Sequence, residues 1–271
     1  MVTSIYDEIL KLEKSGQPGI LCTIVSTQGS TPRREGSKML VYKDGETSGT
    51  IGGGEMENRV IGEALEALSE GKPRLIRYSM VDPSRGDPGV CGGQLQIYIE
   101  PILPMKTIVI IGGGHVGREV AHLGKWLGFR VVVCDDRPDV ATPESVPDAD
   151  QYYSDPIAAI QRDIEITSWT YFVLTTRSVD VDVSILPAIL EKESGYIGVI
   201  GSRRRWATTR TKLLEIGSPK EKIDSIHSPI GINLNAETPE EIAISIIAEI
   251  LMLIKHGDCM PMSRIENNIN N

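Results

Sequence analysis

Three glycines, Gly112, Gly114 and Gly117, form a G-x-G-x-x-G pattern inside "IVIIGGGHVGREV", residues 108–120. The pattern follows an apolar, strand-like run and opens a helix-like one, which is the arrangement for binding a phosphate. The first glycine permits a tight turn, the second lets a pyrophosphate approach the backbone, and the third lets the helix pack closely on the strand. A helix start adds unpaired amides and a dipole that favours negative charge. Asp135 closes the next strand-like segment eighteen residues after Gly117, near the spacing of an acid that binds ribose hydroxyls. The competing reading is a glycine-rich turn that binds nothing. His115, inside the turn, either approaches a phosphate or substrate or faces solvent. Arg137, just after Asp136, either accommodates a 2′-phosphate or forms a surface ion pair. Hydride transfer would also need a side chain placed to move a proton, and neither a Tyr-x-x-x-Lys pair nor a His-Asp pairing is visible in the sequence.

Other loops carry similar chemistry. "GSTPRREGSKM" sets Arg33 and Arg34 among small hydroxyl residues, and "GTIGGGEMEN" runs through Gly52, Gly53 and Gly54 into a helix start. Both follow strand-like segments and suit one pocket for an anionic, hydrogen-bonding ligand; two tight turns and a solvated arginine pair explain them equally. Cys91 lies in "DPGVCGG", where flanking glycines leave a thiol open to a large partner, a soft metal or sulfur, or where it simply packs on the following strand. Gly201 and Ser202 end the strand-like "YIGVI", the ligand side of an open α/β sheet. Ser202 and Arg203 there suit a phosphate, whereas Arg204, Arg205 and Arg210 read as a solvated helix face. The Pro/Gly-rich "HSPIGINLNAETPEEIA" either closes over the site or forms a domain contact.

The elements that must position these groups fall into two rhythms. Residues 4–15 read as a helix capped by Ser4 and ended by Gly16. "GILCTIVST" reads as a strand, "KMLVYKDGETSGTIGG" as a hairpin around Asp44-Gly45, then a helix from the glycine run, then the strands "PRLIRYSM" and "QLQIYIEP". From Lys106 strands alternate with helices: "TIVIIG", a helix to about Trp126, "RVVVCD", "TYFVLTT" and "YIGVIGS", as in a parallel sheet covered on both faces. "TPEEIAISIIAEILMLIKHG" is a helix with a Thr238–Glu241 capping box, Pro239 in its first turn and Gly257 at its end. The expected fold is α/β, a small N-terminal α+β domain at residues 1–104 followed by a Rossmann-like domain at 105–260 and a loose tail at 261–271.

A chain of 271 residues with 40% hydrophobic and 24% charged residues is a soluble globular type. A net charge of −9 argues against general nucleic-acid or membrane-surface binding. No long apolar run or export signal is seen, so a cytoplasmic location is expected. The four cysteines, Cys22, Cys91, Cys134 and Cys259, are far apart and expected to be thiols. Neither they nor the four histidines show zinc spacing, and no iron–sulfur cluster spacing occurs. Symmetric dimers being the commonest oligomers, a homodimer is expected.

Taken together, "QGSTPRREGSKMLV", "GTIGGGEMEN" and "CGGQLQIYIEP" in the first part, and "IIGGGHVGREV", "VVVCDDRP", "YIGVIGSRRR" and "SPIGINLNAETPEEIAISIIAEI" in the second, resemble the xanthine dehydrogenase accessory factor (XdhC/CoxI) family over nearly the whole chain. The resemblance implies a chaperone that binds the molybdenum cofactor, supports its sulfuration with a cysteine desulfurase, and delivers it to an apo molybdenum hydroxylase such as xanthine dehydrogenase. It assigns the Cys91 loop and the N-terminal glycine loops to the cofactor region as a whole, where an accessible Cys91 thiol would approach molybdenum or its exchangeable sulfur; a non-catalytic chaperone is expected over an enzyme. The bound form is molybdopterin or its dinucleotide, whose phosphate or nucleotide the Rossmann turn would hold without hydride transfer. In one place the chain departs: the family strand before "VDVDVSIL" commonly ends in Thr-His, here Thr175-Thr176, so any role of that histidine is lost or altered. Asp182 is the closer match to the family aspartate than Asp180. The alternatives are an NAD(P)-dependent oxidoreductase or a subunit of one, and a nucleotide-sensing module without chaperone work.

Overall fold

A computed structural model describes residues 4–79 and 93–264. The chain divides into two compact units, Met1–Pro104 and Met105–Asn271. Cys91 lies outside the described residues, as does most of the 261–271 tail.

The first unit is an antiparallel sheet with helices. Helix α1 (Ile5–Lys14) starts at Ser4, which forms a capping box with Asp7. Strands β1 (Gly19–Gln28), β2 (Lys38–Tyr42) and β3 (Thr47–Gly49) follow, then helix α2 (Gly54–Glu70), then β4 (Arg74–Ser79) and β5 (Gln94–Ile102). Gly45, at φ 86°, makes the β2–β3 turn that Asp44-Gly45 predicts. The strand order is β3-β2-β1-β5-β4. Alternate residues of β1 and β5, namely Ile20, Cys22 and Ile24 with Leu95, Ile97 and Ile99, join Val60, Ala64 and Ala67 of α2 in one core. The period-2 alternation of the strands meets the helical spacing of α2 there.

The second unit is a parallel sheet: β6 (Thr107–Ile111), β7 (Arg130–Cys134), β8 (Gln151–Tyr153), β9 (Thr170–Leu174) and β10 (Tyr196–Val199). Their order is β10-β9-β6-β7-β8. The chain therefore builds outward from β6 on one side, then returns to build on the other. That order is the Rossmann one, and its reversal lies between β6 and β9, where ligands bind beyond the carboxyl ends of the strands. Helix α3 (His115–Trp126) follows β6; a short α4 (Pro156–Ala158) runs into a π-helical turn (Ala159–Asp163) before β9. Helix α5 (Val179–Leu190) joins β9 to β10, and α6 (Arg203–Glu215), α7 (Lys220–Asp224) and α8 (Pro239–Lys255) complete the unit.

Strands buried on both faces divide their residues between two cores. Ile108, Ile110, Val131 and Val133 pack under Val120, Ala121 and Ile246 of α3 and α8. Val109, Ile111, Val132 and Phe172 pack under Leu186, Ile189 and Leu213 of α5 and α6. At about 25 cal/mol per Å² of apolar surface, these layers supply the main force that fixes the ends of β6, β7, β9 and β10.

Some elements differ from the sequence expectation. The capping box at Thr238 and Glu241 is present, but α8 ends with His256 in the left-handed conformation at φ 54°, one residue before Gly257. "VDVDVSIL" is helix α5, capped by the Ser178 hydroxyl; its Val/Asp alternation hides the helical spacing. Three-residue β8 is too short to stand out by pattern. Among the described residues no helix is long and apolar enough to cross a membrane.

Candidate functional site

At the carboxyl end of β6 the chain turns through Gly112, at φ 108°, a backbone conformation that favours glycine. A Cβ there would meet the Thr175 carbonyl at 2.7 Å, and one on Gly117 would lie 2.0 Å from the Gly112 carbonyl. These two glycines let the turn, α3 and the end of β9 touch, and Thr175 Oγ1 donates to the Gly112 carbonyl at 2.6 Å. Gly114 is different. A Cβ on it would meet nothing within 4 Å, so the backbone at the α3 start faces open space. No side chain caps α3, whereas α5, α6 and α8 are each capped by a hydroxyl. The first-turn amides that an α-helix leaves unpaired thus stand open at the switch point. His115 is exposed beside them.

Asp135 is nearly buried, at 3% exposure. Its Oδ2 accepts from the Gly113 amide at 2.9 Å and from Arg137 Nη2 at 2.8 Å. Its Oδ1 accepts from the Arg137 amide at 3.0 Å and Nε at 2.9 Å. Burial pushes the carboxyl up, but the donations from Arg137 and Gly113 outweigh it and hold the pKa below the usual carboxylate value. The neighbouring Asp136 is paired with Arg177 through two hydrogen bonds of 2.6 and 2.7 Å, which bring it down to about 2. Both pairs line a small cleft of about 20 Å³ beside Ile111 and Gly112, walled also by Thr176, Val181 and Ile185.

Behind that wall lies a network that the sequence does not announce. Asp182 is fully buried and accepts from Thr176 Oγ1 and from Arg205 Nη2 at 2.7 Å and Nε at 3.2 Å. Arg205 Nη1 also donates to the Thr176 carbonyl at 3.0 Å, and its Nη2 to Thr176 Oγ1 at 2.7 Å. Burial raises the Asp182 pKa, and Thr176 and Arg205 offset this only in part. Arg205 therefore ties the starts of α5 and α6 together and is not a member of a solvated face. Thr176 sits inside this network as a hydroxyl that donates to Asp182 and accepts from Arg205. Ser202 Oγ accepts from the Arg205 amide at 3.2 Å and so caps α6. Arg203 and Arg204 are exposed with no ion pair among the described residues; Arg210 pairs with Asp224 at 2.8 Å.

The "HSPIG" segment is tied down along β10. The His227 amide donates to the Ile197 carbonyl and the Ile230 amide to the Val199 carbonyl. Glu249 of α8 accepts from Tyr196 Oη at 2.5 Å and the Gly231 amide at 2.8 Å, and contacts His227 Nδ1 at 3.2 Å. Burial raises the Glu249 carboxyl, but His227, Tyr196 and the Gly231 amide hold it below its ordinary value.

In the N-terminal unit the arginine and glycine loops come together. A Cβ on Gly52 would meet Pro32 at 2.7 Å, and one on Gly93 would meet the Ser30 carbonyl at 2.2 Å. Gly52, Gly53 and Gly54 all have positive φ. Their local anion seat is filled from within: Glu57 Oε1 accepts from the amides of Ile51, Gly52 and Gly53 at 2.9, 3.0 and 2.8 Å and from Thr50 Oγ1. Burial raises the Glu57 carboxyl, but these donors hold it below its ordinary value. Arg33 and Arg34 are exposed and make no ion pair among the described residues. Cys22 and Cys134 are buried in strands, which pushes each thiol up to about 12, so both behave as small apolar groups. Cys259 is exposed.

Two family models match this chain, the XdhC Rossmann domain over residues 108–250 and the XdhC and CoxI family over residues 12–79. The chain belongs to the XdhC/CoxI family. Over 252 residues it is 36% identical to the uncharacterized protein YqeB of Escherichia coli (strain K12), a match that covers 92% of this chain and 46% of YqeB. The chain thus spans about half the length of that relative. Over 281 residues it is 24% identical to the molybdenum cofactor insertion chaperone PaoD of the same organism, covering 92% of this chain and 88% of PaoD. A crystal structure of a xanthine dehydrogenase from Bacillus halodurans aligns with a TM-score of 0.50 and 25% identity, over 96% of this chain and 99% of that one. The XdhC/CoxI match covers both units, and the open α3 start lies within its Rossmann part.

Proposed function

We propose that this XdhC/CoxI-family chain is a molybdenum cofactor chaperone. It holds the cofactor for sulfuration by a cysteine desulfurase and passes it to an apo molybdenum hydroxylase such as xanthine dehydrogenase. The observation that carries the reading is the uncapped start of α3 at Gly114, open at the switch point of a Rossmann sheet. Such a helix start binds anions through its amides and dipole, and the cofactor is an anionic pterin that ends in a phosphate. The name of PaoD gives the same cofactor for a relative.

Gly112, Gly114 and Gly117 would shape and approach the phosphate, with His115, Ser202 and Arg203 at the same edge of the sheet. The fit is to the phosphate end: among the described residues no group of three or more His, Cys, Asp or Glu is placed to hold a metal. When bound, the cofactor supplies the redox-active molybdenum; this chain supplies binding and orientation. Cys91 enters as the molybdenum or sulfur contact on sequence alone. The protein works in the cytoplasm as a homodimer in this reading.

The alternative, an NAD(P)-dependent oxidoreductase, draws on the same glycine turn, but Asp135 has no acceptor capacity left over for a ribose. The test is to express the protein with cofactor biosynthesis intact and assay released pterin, molybdenum and nucleotide. Pterin and molybdenum at near equimolar yield, reduced at least about tenfold by Cys91→Ala, is the expected result. Bound NAD(P) with nicotinamide turnover and no pterin would overturn it.

A further inference from the structure

The Rossmann unit has a seat for a ribose, and the chain already occupies it. A carboxylate offers about four lone-pair sites. Asp135 fills all four, from Arg137 N, Nε and Nη2 and from the Gly113 amide. A ribose diol would have to expel the Arg137 side chain to reach it, exchanging a two-point ion pair in which both partners are charged for hydroxyl bonds in which only the acceptor is. The next carboxylate is no substitute, because both oxygens of Asp136 are held by Arg177. The cavity beside these pairs has a volume of about 20 Å³, far below the roughly 300–1,000 Å³ of ordinary small-molecule sites. Meanwhile the phosphate seat at Gly114 stays open.

We infer that Arg137 is a specificity-determining residue that excludes a nucleoside from this site, so that the chain takes a cofactor ending in a phosphate monoester and not its dinucleotide form. This rests on the proposed function for the identity of the cofactor, but the exclusion of a ribose diol stands independently of it.

Two titrations separate the claims. In the first, full-length protein and Arg137→Ala are titrated with ADP-ribose, a probe with a pyrophosphate and free ribose diols. Wild type should bind it at least tenfold more weakly than Arg137→Ala, a gain of binding that a merely damaged fold would not produce. Equal affinity, or tighter binding by the wild type, would overturn the exclusion. In the second, the wild type is offered molybdopterin and its dinucleotide in competition. Retention of the monoester form by tenfold or more is expected; retention of the dinucleotide to the same extent or more would overturn the inference. Binding of neither pterin would refute the proposed function and the cofactor part of the inference, while the ADP-ribose result still decides the role of Arg137.

Discussion

At Gly52–Gly54 the amides leading into α2 close on Glu57, three backbone donors converging on one carboxylate oxygen. At Gly112–Gly114 the Gly112 amide donates to the Cys134 carbonyl and the Gly113 amide to Asp135, and the α3 start beyond them is left without a side-chain cap. Both runs follow strands, and in sequence they look like two versions of one anion seat. The difference lies in which one the protein fills for itself. A filled seat fixes a loop: it holds Gly52 against Pro32 and Met56. An open seat on a doubly covered sheet leaves a binding position pre-formed.

The largest effect should come from closing the wrong glycine. A Cβ on Gly117 would overlap the Gly112 carbonyl, so Gly117→Ala should destabilise the fold by about 3 kcal/mol or more, even though alanine favours a helix over glycine by about 1 kcal/mol. Chemical denaturation checks this. An unchanged midpoint would mean that the contact between turn and helix is not what shapes the phosphate seat.

A smaller effect is expected at the filled seat. Replacing Glu57 with Ala strands the amides of residues 51–53 and should cost about 1–3 kcal/mol at neutral pH. The Glu57 pKa is lowered in the folded state, so its contribution is present above the carboxylate pKa of the unfolded chain, about 4.3, and is lost as pH falls through the lower folded value. The gap between wild type and variant should therefore narrow as the pH falls below the unfolded carboxylate value and through the lower folded one. A gap that stayed constant from neutral to acid would show that the Glu57 charge does not hold the loop.

How much of this was readable beforehand follows the range of the interactions. The turn at Gly112, the strand before it and Asp135 after it lie within one local unit, and their spacing names their chemistry. The capping boxes at Ser4 and Thr238 are local too, the second read outright. Glu57 was not legible as the occupant of its loop, because "GGGEMEN" offers two acids in the first helical turns and only the backbone path shows which one folds back. Asp182 and Arg205 lie on different helices, joined through Thr176 at a strand end, and no periodicity links them. Arg137 was left between an ion pair and a phosphate contact; its three donors on Asp135 are a matter of rotamer and burial that spacing does not encode.

The most direct test is to give α3 a side-chain cap of its own. Gly114 has extended backbone, φ −70° and ψ −167°, at the N-cap of α3, a conformation that any residue adopts, and the Cβ position is open. Aspartate is a better N-cap than glycine by about a few tenths of a kcal/mol, so Gly114→Asp should leave the fold as stable as wild type or slightly more so, while its carboxylate takes the amides meant for the ligand. Pterin released from wild type and Gly114→Asp, each expressed with cofactor biosynthesis intact, is the quantity to measure alongside thermal stability. The account predicts bound pterin in the wild type, a fall of at least about tenfold in the variant, and an undiminished melting temperature. Equal pterin in both proteins would contradict the claim that the open start of α3 is where this XdhC/CoxI chain holds its cofactor.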